Sequence, residues 1–465
     1  MKQHRTESDS LGPVKIPLAA TWGSQTQRAL ENFPITGVAI SHYPELIVGL
    51  ASVKKACAMA NKDLGVLPHQ KASAITDVCD AIIAGGHHDQ FVVDVMQGGA
   101  GTSTNMNANE VIANLGLEKL GAGHGDYSQL HPNDDVNRSQ STNDVYPTAI
   151  RLAVLSRIAP LIESMHLLTK SFDQKACEFQ HIMKVGRTQL QDAVPMPLGA
   201  EFRGYATTIN EDADRLRDLS RLLTEVNLGG TAIGTGINAP ERFGEAALAH
   251  LRDITGEPLQ LAPDLIEASS DLGAFVMFSS TLKRVGIKLS KICNDLRLMS
   301  SGPRAGLGEI ILPAVQAGSS IMPGKVNPVI PEVVNQVCYQ AIGNDLTVTM
   351  AAEAGQFQLN AMEPVIIHKV LETMGSLTNA MNVLRTRCVD GIVADEMRCE
   401  MLLSNSLVQV TALAPVIGYE AATKLAKYAQ AHGLNLQEAA KPALSEELAE
   451  TALRHIHGRA AEIAQ

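Results

Sequence analysis

Four segments of the chain combine hydroxyl, amide and glycine residues, in a sequence that otherwise follows long helical patterns. They are GAGTSTNMN at 99–107, HPNDDVNRSQSTNDVYPT at 131–148, GRTQLQDAVP at 186–195 and GSSIMPGKVNPVIPE at 318–332. Many hydrogen-bond donors beside one lysine, with little aromatic surface, are what a small dicarboxylate needs. One such segment would be ascribed to loops and helix caps. Four of matched character favour a binding site for a small dicarboxylate.

The last of these segments has the residues for acid–base chemistry. Two glycines and two prolines punctuate GSSIMPGKVNP, and Lys325 lies six residues after Ser319 and two before Asn327. A flexible loop of this composition could close over a ligand and exclude water. A serine beside a cation and backbone N–H groups can act as a general base, because its alkoxide is stabilised there. No GxSxG motif or evident His–Asp pair is present, so a hydrolase triad is not predicted.

The composition excludes other classes of function. The chain has 465 residues, with 38 Lys and Arg against 49 Asp and Glu and a formal charge of −11. An acidic chain without a basic run is not expected to bind nucleic acid, and aromatic residues at 4% give few platforms for base stacking. No run of 18 apolar residues predicts a membrane span. The sequence is therefore that of a mildly acidic globular protein.

The cysteines, the histidines and the first residues predict the compartment and the cofactors. Seven cysteines are scattered without a CxxC pair, so neither a disulfide framework nor a structural zinc site is expected. The start, MKQHRTESDSLG, is polar and lacks the apolar stretch of a signal peptide. We therefore expect a cytoplasmic protein. No convincing metal-ligand set accompanies the histidines, so no cofactor is predicted, while activation by a divalent metal stays open.

The middle of the chain predicts the long helices that must position these segments. From Phe275 to Met299 apolar residues recur at alternating steps of three and four, the seam of a helix that packs at a shallow angle against others. A second run extends from Ile150 to Leu168, and Pro160 inside it should kink or break that helix. The expected fold is mainly α. Its domains are an N-terminal mixed helical domain at 1–140, a central long-helix bundle at 141–390 and a small C-terminal helical domain at 391–465.

The segment GSSIMPGKVNP closely resembles the signature of the fumarase/aspartase superfamily, and the similarity extends through the other three segments and nearly the whole chain. The resemblance implies a mainly α, three-domain fold whose central long-helix bundle associates into a homotetramer. It also implies active sites assembled from three subunits, which would explain why the polar segments are so far apart in sequence. The reaction implied is elimination from a small dicarboxylate through an aci-carboxylate intermediate.

Roles carried over from the superfamily fall on residues of the four segments. Ser319 would be the general base that removes the β-proton. The residues that would hold the β-carboxylate and its dianionic form are Thr102, Ser141, Thr142 and Ser320. Those that would bind the α-carboxylate are Lys325 and Asn327, and those near the amino group are Asn143 and Thr188. Gln189 belongs to the same set of substrate-binding residues, and since other members have His there, its contact would be neutral and independent of pH.

Several positions favour one reaction within the superfamily. TQLQDAVPM at 188–196 and MAAEAGQFQLNAMEPVI at 350–366 resemble members that deaminate L-aspartate to fumarate and ammonia. Ala100 and Gln189 stand where fumarases usually have Ser and His. The prediction is therefore the reversible deamination of L-aspartate by a carbon–nitrogen lyase.

Two alternatives stay open at this point. WGSQTQRALENF at 22–33 and HPNDDVN at 131–137 resemble fumarases as much, which keeps fumarate hydratase as the first alternative. The alternative of another class is a catalytically silent helical scaffold. Against the scaffold stands the intact loop with Ser319, Lys325 and Asn327, which a scaffold has no evident reason to keep.

Overall fold

The structure, a computed structural model, describes residues 4–318 and 321–462, and most of this length is helical. The α-helices are α1 (Ser24–Asn32), α2 (Pro44–Asp63), α3 (His69–Ile83), α4 (Thr102–Lys119), α5 (Thr142–Glu178), α6 (Leu198–Ser220), α7 (Phe243–Thr255), α8 (Gly273–Met299), α9 (Val329–Glu353), α10 (Glu363–Arg387), α11 (Glu396–Asn405), α12 (Val410–Ile417), α13 (Tyr419–His432), α14 (Leu436–Ala443) and α15 (Glu446–Glu462). The predicted mainly α class is confirmed.

Short strands pair two by two between the helices. They are β1 (His4–Asp9), β2 (Gly12–Pro17), β3 (Met183–Thr188), β4 (Gln191–Pro197), β5 (Glu225–Val226), β6 (Gln260–Leu261), β7 (Ile310–Ile311) and β8 (Val393–Ala394). The β5–β6 pair is parallel, whereas β1–β2, β3–β4 and β7–β8 are antiparallel. The turn between β3 and β4 includes Gln189, one of the residues predicted to bind substrate.

The chain divides into two compact units, each made of discontinuous pieces. The first comprises the described residues of Met1–Ile162, Asp214–Arg284 and Gln340–Ser376, and the second those of Glu163–Ala213, Val285–Tyr339 and Leu377–Gln465. The three domains expected from the sequence, with boundaries after residues 140 and 390, stay a prediction.

Parts of four long helices are joined by polar contacts within the first unit. Nζ of Lys283 on α8 contacts the Asp345 carboxylate on α9 at 2.5 Å. Nδ2 of Asn344 on α9 donates to Oγ1 of Thr373 on α10 at 3.0 Å. Arg157 of α5 donates to a backbone carbonyl of α10 at 3.1 Å. These contacts connect α5, α8, α9 and α10 as a bundle.

The apolar seams are buried as their spacing predicts, and helix α5 continues through its proline. The eight seam residues of α8, from Phe275 to Met299, are each at most 5% exposed. A kink or a break was expected at Pro160, and the break does not occur, since helix α5 runs through this residue. A proline inside a helix costs about 3 kcal/mol, and burial of a large apolar side chain returns about 1.5–3 kcal/mol. Because Ile158 and Leu161 on either side of Pro160 are buried, packing offsets the lost hydrogen bond.

The shorter C-terminal helices have an apolar core of their own within the second unit. Helices α12 to α15 contribute to it, with Leu413, Leu425, Leu436 and Ala452 all buried. At the start of α14 the Asn435 side chain accepts the N–H of Glu438, whose carboxylate accepts the N–H of Asn435. Such a capping box fixes the start of a short helix by satisfying its first amides. Short helices in this part of the chain agree with its sequence pattern.

Two helical segments among the described residues meet a length and composition test for crossing a membrane. One is α5, and the other is α11 with α12 if their 53° bend lies within a single span. In α5, 78% of the most apolar stretch is buried within the protein, as is usual for a helix in a protein core. These helices are therefore weak support for membrane insertion.

Candidate active site

The polar segment at 99–107 begins helix α4 with a left-handed turn. Gly99, Ala100 and Gly101 have φ values of +87°, +56° and +85°, and α4 starts at Thr102. A Cβ built on Gly101 would lie 2.5 Å from the buried ring of Tyr146, so only glycine fits there. The exposed Thr102 lies at the positive end of the helix dipole, which attracts anions. Its hydroxyl donates to the Gly99 carbonyl at 2.6 Å and must rotate before it can donate to a carboxylate.

Three predicted binding residues are consecutive at the start of α5. Oγ of Ser141 accepts the N–H of Asn143 at 3.2 Å, and Oγ1 of Thr142 accepts from Nδ2 of Asn105 at 3.0 Å. Among the described residues neither hydroxyl donates to another protein group, so both can donate to a carboxylate. Asn105 lies one turn along α4 from Thr102, so its bond to Thr142 joins the two helix starts. Sequence reasoning missed Asn105, although it stands inside one of the four segments.

The Asn143 side chain is tied to a turn that is distant in sequence. Its Nδ2 donates to the carbonyl of Ala232 at 2.8 Å, and its backbone carbonyl accepts from Nδ2 of Asn227 at 2.9 Å. Within residues 4–318 and 321–462, no donor is hydrogen-bonded to Oδ1 of Asn143. The side chain therefore offers an acceptor, which is the group that a protonated amine requires.

A buried lysine that sequence reasoning did not select lies beside the 131–148 segment. Lys54 of α2 is fully buried, and its Nζ donates to Oδ1 of Asn137 at 2.8 Å and to Oε1 of Gln140 at 2.9 Å. Asn105 and Asn109 also donate to Oδ1 of Asn137, each at 3.2 Å. Burial lowers the pKa of Lys54 to about 7, because a charged ammonium group loses its hydration there. Lys54 is thus hydrogen-bonded to the segment that precedes the predicted binding residues at the start of α5.

Thr188 and Gln189 lie at the tip of the β3–β4 hairpin in the second unit. Gln189 and Leu190 have φ values of +55° and +61°, two consecutive left-handed residues as in a type I′ hairpin turn. Thr188 pairs with Gln191 across the turn, and all four residues are exposed. The hairpin therefore presents a hydroxyl and a neutral amide side by side.

The loop before α9 holds Lys325 and Asn327, also in the second unit. A Cβ built on Gly318 would lie 1.7 Å from the Lys325 carbonyl oxygen, so the two backbones are in close contact. Lys325 is exposed, and the Asn327 carbonyl accepts the N–H of Val329 at 2.9 Å as α9 begins. Ser319 and Ser320, the expected base and one expected carboxylate ligand, lie outside the described residues. Close contact at Gly318 places Lys325 next to the residue that precedes Ser319.

Replacement of Gly318 by Ala should lower kcat/KM for the expected elimination by roughly 10- to 100-fold, since a displacement of about 1 Å can cost that much. The new Cβ would push the Lys325 backbone away from residue 318. Steady-state kinetics would measure the loss, and thermal unfolding should change little because the loop is exposed. The matched control is Gly123→Ala, where a Cβ meets no atom within 4 Å. Wild-type kinetics in Gly318→Ala would contradict the importance of this contact.

The predicted site residues are divided between the two units. Those in the first unit are Thr102, Ser141, Thr142 and Asn143, and those in the second are Thr188, Gln189, Lys325 and Asn327. The first unit brings the starts of α4 and α5 together, and the second brings Lys325 to Gly318. In the described part of the chain, no group of three or more His, Cys, Asp or Glu side chains could hold a metal ion.

Comparison with known proteins gives matches over nearly the whole chain. A family model described as Lyase matches residues 12–343, and one described as Fumarase C C-terminus matches residues 410–455. Aspartate ammonia-lyase of Pseudomonas fluorescens is 59% identical over 93% of this chain and 91% of that protein. Aspartate ammonia-lyase of Escherichia coli K12 is 53% identical over the same shares.

Solved structures give the same result for the fold. A crystal structure of fumarate lyase:delta crystallin from Brucella melitensis bound to cobalt has a TM-score of 0.94 and 56% identity, covering 98% of this chain and 99% of that one. Recombinant class II fumarase from Schistosoma mansoni has a TM-score of 0.90 and 33% identity, covering 97% and 98%. Because the Lyase model matches more than half of the chain and the relatives align over nearly its full length, the chain belongs to the fumarase/aspartase superfamily of lyases.

Proposed function

We propose that the protein catalyses the reversible elimination of ammonia from L-aspartate to give fumarate. The observation that carries the proposal is the similarity to aspartate ammonia-lyases, at 53–59% identity over 93% of the chain. The free acceptor on Asn143 and the neutral side chain at Gln189 support an amine as the leaving group. This chemistry is that of a carbon–nitrogen lyase.

In the proposed mechanism, Ser319 removes a proton from Cβ of L-aspartate. The product is an aci-carboxylate dianion, and the hydroxyls that would stabilise it are those of Thr102, Ser141, Thr142 and Ser320. The electron pair left on Cβ then forms the double bond of fumarate as the C–N bond breaks and ammonia leaves. These donors act where charge develops in the transition state, and one such donor is worth roughly 3 kcal/mol in comparable sites.

The α-carboxylate and the amino group of the substrate are proposed to contact a further set of residues. Lys325 supplies the positive charge for the α-carboxylate, with Asn327 as a hydrogen-bonding partner. The amino group would lie near Asn143 and Thr188, and Gln189 is a further substrate-binding residue. Because Gln189 is neutral at all pH values near neutrality, its contact would not add a pH dependence to binding.

The proposed assembly is a homotetramer with active sites shared between three subunits. It is supported by apolar side chains on α9 that are exposed in the single chain. Ile342, Leu346 and Met350 recur every four residues and are 37%, 61% and 65% exposed. Such a stripe is typical of a helix face that packs against another helix. We propose that other copies of this chain cover it, in a cytoplasmic enzyme without an organic cofactor, a nucleic-acid partner or a membrane partner.

The test follows the ultraviolet absorbance of fumarate when the purified protein is mixed with L-aspartate, with L-malate in a parallel assay. Fumarate formed from L-aspartate alone is the expected result. Fumarate formed mainly from L-malate would identify a fumarate hydratase and contradict the proposal. No fumarate from either substrate would favour another succinyl compound or a scaffold.

A further inference from the structure

Asn143 can bind an amine only if its amide is held in one orientation. The carbonyl of Ala232 lies 2.8 Å from Nδ2 of Asn143. If the amide were turned over, Oδ1 would face that carbonyl, and two acceptors at this distance repel each other. The Ala232 carbonyl therefore selects the orientation in which Oδ1 of Asn143 is free to accept. The amine specificity of this side chain thus depends on the position of the turn at 229–232.

A single buried carboxylate fixes that turn to the start of α5. Oδ2 of Asp144 accepts the N–H groups of Gly229 and Thr231, each at 3.0 Å. Oδ1 of Asp144 accepts the N–H of Ser141, also at 3.0 Å. Burial raises the pKa of Asp144 to about 6, and the three N–H donors oppose this rise. The group is therefore mainly ionised at neutral pH, the state in which both oxygens are acceptors.

A second side chain, that of Asn227 just before the turn, also connects this region to α5. Nδ2 of Asn227 donates to the backbone carbonyl of Asn143 at 2.9 Å and to Oγ of Ser269 at 3.1 Å. Asn227 is itself buried, so these bonds are shielded from water. Asp144 on α5 and Asn227 beside the turn therefore both connect the turn to α5.

We propose that Asp144 is a positioning residue for the substrate's amino group. It fixes the 229–232 turn to α5, so that the Ala232 carbonyl holds Nδ2 of Asn143 and Oδ1 of Asn143 receives the ammonium group of L-aspartate. Asp144 itself touches no substrate. This inference rests on the proposed deamination of L-aspartate.

Asp144→Asn tests the proposal because an amide of the same shape has only one acceptor oxygen. That oxygen cannot accept the N–H of Ser141 and the N–H groups of Gly229 and Thr231 together, so the carboxylate bridge between the turn and the start of α5 is broken. KM for L-aspartate should rise about tenfold or more, as expected for one lost hydrogen bond to a charged group. The competitive inhibition constant of succinate, a dicarboxylate without an amine, should rise less, by at most about threefold, because the N–H of Ser141 is the one contact of Asp144 with the residues proposed for the carboxylates. A merely structural role would raise both constants together.

The matched control is Asp345→Asn, another buried aspartate of the first unit. Asp345 accepts from Oγ of Ser279 at 2.9 Å and pairs with Lys283, away from the 229–232 turn. This variant should lower the stability of the protein. KM for L-aspartate and the inhibition constant of succinate should not change by different factors. If Asp144→Asn does not fold, Asn227→Ala is the second variant. It should raise KM for L-aspartate about threefold relative to the inhibition constant of succinate.

Equal weakening of L-aspartate and succinate in either variant, or no change in either, would overturn the inference. Turnover of L-aspartate by the wild-type protein tests the proposed function independently of this separation. A failure of the proposed function can therefore be distinguished from a failure of the inference about Asp144.

Discussion

Ser319→Ala should lower kcat for the deamination of L-aspartate by about 10²- to 10⁴-fold, the usual contribution of a positioned general base. The proton on Cβ is a very weak acid, and alanine offers no group to accept it. The other donors of the proposed site, such as Thr142 and Lys325, remain in place. Binding of the substrate should therefore survive while the chemical step is lost.

Two further measurements distinguish a lost base from a damaged site. The inhibition constant of succinate for residual activity, or its dissociation constant by calorimetry, should stay within about threefold of the wild-type value. Exchange of the β-hydrogen of L-aspartate with deuterium from solvent should fall together with kcat. A variant that retains kcat within a factor of ten would show that Ser319 is not the base.

Lys54→Met should remove a large part of the increase in stability between pH 7 and pH 10. The pKa of Lys54 is about 7 in the folded protein, against an ordinary value of 10.5 in the unfolded chain. Between these values the unfolded chain binds a proton that the folded protein does not. The free energy of unfolding therefore rises with pH, by more than about 1 kcal/mol per pH unit from this group. Methionine has no titrating group, so it cannot contribute to this rise of the free energy of unfolding with pH.

Denaturant unfolding at pH 7, 8, 9 and 10 would compare the slopes of the two proteins. The matched control is Lys55→Met, which changes the next residue, whose Nζ contacts the Asp80 carboxylate at 2.5 Å. Lys55→Met should keep the wild-type slope. Parallel curves for wild type and Lys54→Met would mean that Lys54 is charged throughout this range in the folded protein.

The buried position of Lys54 could have been recognised from spacing alone. Along α2, Leu50, Lys54 and Cys57 follow one another at steps of four and three, and all three are fully buried. A lysine on an apolar stripe has to find partners inside the protein. What the spacing could not provide is the identity of those partners, because Asn137 lies 83 residues away.

Local patterns were sufficient for the helices and for the family. The seam from Phe275 to Met299 is set by the 3.6-residue period of the helix, so its spacing predicts which face is buried. The signature at 318–328 is contiguous, so the sequence displays it without any knowledge of packing. Pro160 shows the limit of such rules, since burial around it outweighed the local cost of a proline.

The sequence by itself determined the mainly α class, the membership of the superfamily and the types of residue available for chemistry. The tertiary structure alone decided which distant groups those residues contact. Asn143 and Ala232 are 89 residues apart, yet their contact determines whether the Asn143 amide offers a donor or an acceptor. A sequence pattern constrains neighbours along a helix or hairpin, whereas the partner of a buried polar group depends on which distant segments pack together.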